Sequence, residues 1–213
     1  MSIGTYSELQ TAVATWLHSA SYTSLIPDWI QAGENRLNDL LSLTPMQAFT
    51  TLTASTSSRF LALPDRFNGP ISLYLIVSNV RTKLTALGPE NMAARVNIIS
   101  STQPRFYSIG DQIEFDSTPD QAYSLTFNYY KKLALATDLT NFLLTSNYKA
   151  YLYAALVEAY TYKEDDAKVA RYEALLQGEV DRLSEADTAN RAVNNLRTDI
   201  ALSGRPRSTI FAG

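Results

Sequence analysis

Residues Thr140–Tyr160 read TNFLLTSNYKAYLYAALVEAY. Tyr148, Tyr151, Leu152, Ala155, Leu156 and Ala159 recur at the spacing of one helical face, and Tyr153, Val157 and Tyr160 form a second. A bundle core needs one apolar face. The second must be covered either by a partner subunit or by the chain's own helices, since a helix that is apolar all round is ordinarily central. Tyr153, Val157 and Tyr160 are therefore the candidate inter-subunit face, because tyrosine pairs an apolar ring with a polar tip. A membrane span is excluded: Asn147, Lys149 and Glu158 interrupt the run well short of the 18 or so apolar residues a crossing needs.

Upstream, Thr5 and Glu8 fit a capping box, in which each side chain satisfies the other's backbone amide at a helix start. Leu9, Ala12, Val13, Trp16 and Leu17 continue it as one buried stripe. A second helix is expected over residues 24–41, with Pro27 tolerated in its first turn and a stripe of Ile26, Trp29, Ile30, Leu37, Leu40 and Leu41. From Pro45 the texture becomes threonine, serine and alternating apolar residues punctuated by proline and glycine. This predicts strands near 48–54, 59–63, 71–77, 83–87, 105–109, 112–116 and 121–131, with a helical turn over 89–96. Gly110 with Asp111 is the clearest hairpin signal, glycine accepting a positive φ there.

Downstream, residues 138–144 suggest a short turn of helix, and Ser146 is the expected N-cap of a helix over 147–163. Glu164, Asp165 and Asp166 then open another, where negative charge suits the helix N-terminus. Its buried face is Val169, Tyr172, Leu176, Val180 and Leu183, with Glu164–Lys168 and Asp187–Arg191 as i,i+4 pairs. The helix is expected to fray after Asn195. The fold class that follows is α+β: a helical bundle formed by N-terminal helices (1–44) and C-terminal helices (133–195), an inserted antiparallel β region (45–132) and an extended C-terminal arm (196–213).

Chemistry is sparse. There is no cysteine, so no disulfide, thiolate metal site or cysteine nucleophile. His18 is the only histidine, and no nucleophile elbow accompanies it. Glu114 and Asp116 lie two apart on an expected strand and could mimic a paired-carboxylate glycan hydrolase, but alternation explains them more simply: Ile113 and Phe115 face a core, the acids face water. No calcium loop or phosphate-binding loop is present, and neither catalytic residue, cofactor nor metal is expected. A formal charge of −3 argues against a protein that works by neutralising many phosphates. The opening residues lack the charged and apolar regions of a signal peptide. In the arm, Arg197, Arg205 and Arg207 with Ile210 and Phe211 combine charge and apolar anchors, a set suited to docking onto another protein's surface, although many short tails are simply disordered.

The ordered set TYSELQTAVATWLH, LIPDWIQAGENRLNDLL, LALPDRF, RFYSIGDQIEF and NFLLTSNYKAYLYAALVEAYTYKEDD resembles the head-to-tail adaptors, or connectors, of tailed bacteriophages. The chain departs from that likeness at Gly33, where a larger residue is expected. The resemblance implies a structural virion protein in the neck, made in the host cytoplasm, that joins the portal protein as a homo-oligomeric ring of about twelve copies, a dodecamer. Such a ring extends the DNA channel, lets genomic DNA pass without sequence-specific binding and gives the tail or nozzle protein its attachment platform. The alternatives are a non-phage helical interaction module and, less favoured, the carboxylate-dependent glycan hydrolase.

Overall fold

In chain order the elements are α1 (Tyr6–Leu17), α2 (Ile26–Leu40), β1 (Gln47–Thr53), β2 (Phe60–Ala62), β3 (Phe67–Val77), β4 (Val80–Lys83), β5 (Thr85–Ala86) and α3 (Pro89–Ala93). They continue with β6 (Phe106–Ile109), β7 (Gln112–Phe115), β8 (Ser124–Lys131), α4 (Leu135–Asp138), α5 (Phe142–Tyr162) and α6 (Asp166–Ser203). The computed structural model describes residues 3–19, 21–96 and 101–203, with side chains as far as Ala192. The protein is α+β and divides into two units, Met1–Thr44 with Ala134–Gly213, and Pro45–Leu133.

In the helical unit, α1 starts on the expected box. Thr5 Oγ1 accepts from the Glu8 amide at 3.3 Å, while Glu8 Oε2 accepts from the amides of Thr5 at 3.0 Å and Gly4 at 2.7 Å. Those backbone hydrogen bonds hold the exposed Glu8 carboxyl below its usual range. The second helix begins at Ile26, two residues later than expected, with Pro27 in its first turn and no side-chain cap. Its neighbour in the core is α5, which packs against α1, α2 and α6 at once. This explains why α5 buries Leu144, Tyr151, Leu152, Ala155, Leu156, Val157 and Tyr160 around its whole circumference.

Gly33 is where α2 and α5 come closest. A Cβ there would stand 2.8 Å from the Ala154 carbonyl carbon and 2.9 Å from the Ala155 amide nitrogen. The larger residue expected from the sequence cannot fit, because backbone already occupies its place. α5 is also not the simple helix expected from an N-cap at Ser146. It begins at Asn141, whose Oδ1 accepts from the Leu144 amide at 2.9 Å, and breaks at Asn147, where φ is −152° and ψ is 68°. Buried Asn147 is held there by donating to Glu179 Oε2 of α6 at 3.0 Å.

α6 opens as expected: Asp165 Oδ1 accepts from the Lys168 amide at 3.2 Å, capping the helix. Lys168 pairs with Asp165 Oδ2 at 2.9 Å rather than with Glu164, whose positive φ of 54° puts it outside the helix. The Asp187–Arg191 pair forms at 2.7 Å. Both residues also reach the chain leaving α2: Asp187 accepts from the Thr44 amide at 2.9 Å and Arg191 donates to Ser42 O at 3.0 Å. The helix does not fray after Asn195 but continues to Ser203, so the first part of the expected extended arm is helical.

The β unit holds two four-stranded sheets, ordered β1-β8-β3-β4 and β2-β7-β6-β5. Pairing is antiparallel except between β5 and β6, which run parallel. Leu73, Leu75, Leu125 and Phe127 of the first sheet share one core with Tyr107, Ile113 and Phe115 of the second, so the sheets form two layers over an apolar filling. Pro70, disruptive in a regular strand, sits at a register shift of β3 between Pro70 and Ser72. The β3–β4 hairpin is not among the expected turns. Ser78 and Asn79 turn it with φ of 47° and 65°, the left-handed pair that a two-residue hairpin needs. Conversely, Gly110 does not use its freedom: no described glycine has positive φ, and its amide closes the β6–β7 turn onto Gln112 O at 3.0 Å.

Two glycine substitutions should move stability in opposite directions. Gly33→Ala is expected to destabilise the helical unit by about 1–3 kcal/mol despite alanine's better helix propensity, because α2 and α5 must separate. Gly178→Ala, on α6 with nothing within 4 Å of the added carbon, should stabilise by up to about 1 kcal/mol. Urea midpoints of the helical circular-dichroism signal measure both.

Candidate docking surface

The C-terminus of α1, the N-terminus of α2, the C-terminus of α5 and the N-terminus of α6 meet through aromatic rings. Trp16 meets Tyr153 and Tyr172 edge-on, both with centroids 6.3 Å apart, and Tyr160 stacks on Tyr172 at 5.4 Å. Tyr22, Trp29 and Tyr162 form a second group with separations of 5.7–6.2 Å. Lys163 links the two, its Nζ lying 5.5 Å from the ring centres of both Tyr22 and Tyr160, while Lys168 Nζ is 4.8 Å from Tyr160. Burial raises the Tyr160 phenol above its ordinary range, and Tyr172 beside it adds to the effect. Trp16 remains 42% exposed and Tyr162 60% exposed. Trp16 therefore leaves the buried stripe expected for it, as Leu40 does on α2.

A half-exposed patch of tryptophan and tyrosine backed by packed rings offers large apolar area at little cost in rotamer freedom, the profile of an interface centre. The second tyrosine face of α5 contributes one residue. Tyr153 is half-buried at this patch, whereas Val157 is 1% and Tyr160 3% exposed. These two are covered by the chain's own helices, so the trio is not the free face expected from periodicity, which cannot say how many neighbours surround a helix. Of the arm, Arg197 lies on the helical backbone of α6, and Arg205, Arg207, Ile210 and Phe211 lie outside the described residues.

The residues considered for chemistry are engaged locally. His18 is exposed and caps α1 with a left-handed φ of 48°. Glu114 faces away from the buried Ile113 and Phe115 and pairs with Arg59 at 3.3 Å. Asp116 Oδ1 accepts from the amides of Arg105 at 3.1 Å and Phe106 at 3.3 Å, fastening the strand edge. Among the described residues, no cluster of three or more His, Asp or Glu could hold a metal ion, and no helix is long and apolar enough to cross a membrane.

A buried polar site lies between α2 and α5. Glu34 Oε1 accepts from Tyr151 Oη at 2.7 Å and from the Leu135 amide at 2.8 Å, and Tyr151 Oη accepts from Asn141 Nδ2 at 2.7 Å. Burial, then the nearby Glu34 charge, pushes the Tyr151 phenol far above its ordinary range, so it remains a donor at any working pH. One buried carboxylate thus fixes α2, the start of α4 and the middle of α5. Arg36 reinforces the same junction from the surface, reaching Glu158 at 3.4 Å and Glu173 at 3.2 Å. Tyr151→Phe should cost about 1–3 kcal/mol, because it leaves the buried Glu34 carboxylate short of a donor. The urea midpoint of the helical signal reads this loss, and an unchanged midpoint would show the hydroxyl to be dispensable.

Compared with known proteins, residues 4–198 match the model of a family described as SU10 adaptor protein. No curated protein matches the chain. Because the match runs through both units, the chain belongs to the SU10 adaptor protein family, a family of phage structural adaptors.

Proposed function

We propose that this protein is a head-to-tail adaptor that docks as a ring, of twelve copies, beneath the portal, extends the DNA channel and gives the tail its attachment platform. The observation that carries the reading is the family match over residues 4–198. A phage adaptor is a virion component that works through other virion proteins, and the neck is the place where portal and tail must be joined. The aromatic patch around Trp16, Tyr153 and Tyr162 then serves as a protein-docking surface, and Arg197, Arg205, Arg207, Ile210 and Phe211 as anchors on the portal or a neighbouring copy. Function lies in these contacts rather than in catalysis.

A net charge of −3 suits the lining of a conduit, since a surface that neutralised many phosphates would hold the duplex instead of letting it slide.

Mixing the protein with its cognate portal and imaging the product tests the assignment directly. A ring of added density under the portal is expected, and its absence overturns the reading. Ending the chain at Ser203, which keeps the whole of α6, should weaken portal binding while leaving the helical signal unchanged. Assembled rings should also bind duplex DNA weakly and with a shallow salt dependence. Tight binding with a steep salt slope near physiological salt would overturn the proposed lumen.

A further inference from the structure

The first sheet has two unlike edges. On one side β4 is short and carries Arg81 and Lys83, both exposed, the charged edge that discourages further pairing. On the other side β1 reads QAFTTLT, with no charge and no proline, and pairs with β8 in unbroken register from Gln47↔Tyr130 to Thr53↔Ser124. No charged residue occurs from Leu40 to Ser58. Gln47, Phe49, Thr51 and Thr53 are exposed, Phe49 at 81%. A long, regular, uncharged strand at a sheet edge is a template for another strand, and natural proteins rarely leave one unprotected.

The register identifies the free backbone groups. The Ala54 amide donates to Tyr123 O at 2.9 Å, so by antiparallel alternation Ala48, Thr50 and Leu52 turn their N–H and C=O toward β8. Gln47, Phe49, Thr51 and Thr53 turn theirs outward, where among the described residues no strand pairs with them. The matching partner must offer as many outward groups. At β4 the Leu84 amide donates to Leu73 O, so only Arg81 and Lys83 face that free edge. The second sheet's edge strands are shorter still, Phe60–Ala62 and Thr85–Ala86. Among the described edge strands, β1 is the one that matches β1.

We propose that β1 is a self-pairing edge: β1 of a second copy adds to it, antiparallel about a two-fold axis through Thr50. Phe49 then pairs with Thr51 and Gln47 with Thr53 of the other copy, and every outward N–H and C=O finds a partner. Thr50 meets its own counterpart in the closer, non-hydrogen-bonded position, and Ala48 meets Leu52 on the core side of the sheet. The aromatic–β-branched and Thr–Thr pairs are favourable cross-strand combinations, and no like charges meet. Such a contact is isologous and closed, whereas a ring is built from heterologous contacts. The pairing rests on the strand register alone; its role, a form of the free protein that shields an adhesive edge before a ring assembles, rests on the adaptor reading.

The absence of cysteine makes the register directly testable. Thr50→Cys places one thiol per copy at the axis, with Cα atoms about 4.5 Å apart, within disulfide reach. Mild oxidation should convert most of this variant to a disulfide-linked pair, much faster than a Ser57→Cys control beyond the strand. Thr51→Pro removes an outward N–H without touching the β8 ladder and should lower self-association about tenfold or more by sedimentation velocity. Thr51→Lys, which keeps that N–H but places a charge on the edge, should do the same and covers failure of the proline variant to fold. The proposal is overturned if the unaltered protein sediments as a single copy at every concentration, if Thr50→Cys crosslinks no faster than Ser57→Cys, or if folded Thr51 variants associate as the parent does.

Discussion

The backbone-to-backbone approach of α2 and α5 at Gly33 is the constraint on which the helical unit depends. With the Ala154 carbonyl carbon 2.8 Å from where a side chain would begin, the two helices lie closer than ordinary side-chain packing permits. Glu34, the next residue, is thereby carried into the interior, and the bonds to Tyr151 Oη and the Leu135 amide give its carboxylate the partners burial demands. Close packing and the buried acid are one arrangement. If the helices stood farther apart, Glu34 would part from Tyr151 Oη, and without the carboxylate the Leu135 amide would lose its hydrogen bond.

This junction also sorts the tyrosines of α5. Tyr151 turns inward to Glu34, Tyr160 goes under Tyr172, and Tyr153 reaches the surface beside Trp16. Rings of similar chemistry thus do three jobs, a buried donor, a core filler and a surface anchor, according to the neighbour each helical turn meets. The family's character as a structural adaptor fits a molecule in which Glu34, Asn147 and Asp187 each tie separate segments together.

What could be read from the sequence was what short-range physics decides. The Thr5–Glu8 box, the Asp187–Arg191 pair and the inward Ile113 and Phe115 follow from spacings of three, four and two residues. What could not be read depends on partners distant in the chain. Gly33 looked out of place because the residue that demands it is Ala154; Val157 and Tyr160 looked surplus because the helices covering them are remote in sequence. The break at Asn147 rests on Glu179 of α6, and the cluster of Trp16, Tyr22, Trp29, Tyr162 and Tyr172 joins residues at four helix ends, so its only linear signal was aromatics placed beside turns. The Ser78–Asn79 hairpin is the exception, a local turn without the glycine that ordinarily marks one.

The continuation of α6 to Ser203 changes the thermodynamics of whatever the C-terminus does. Ordering a flexible arm costs roughly 1–2 kcal/mol of backbone entropy per residue, a sum that any docking contact must first overcome. Residues 196–203 are already helical, so that cost is met when the chain folds rather than when it binds. At about 1.5 Å per residue, the helix also carries the chain roughly 18 Å past Arg191 as a stiff rod.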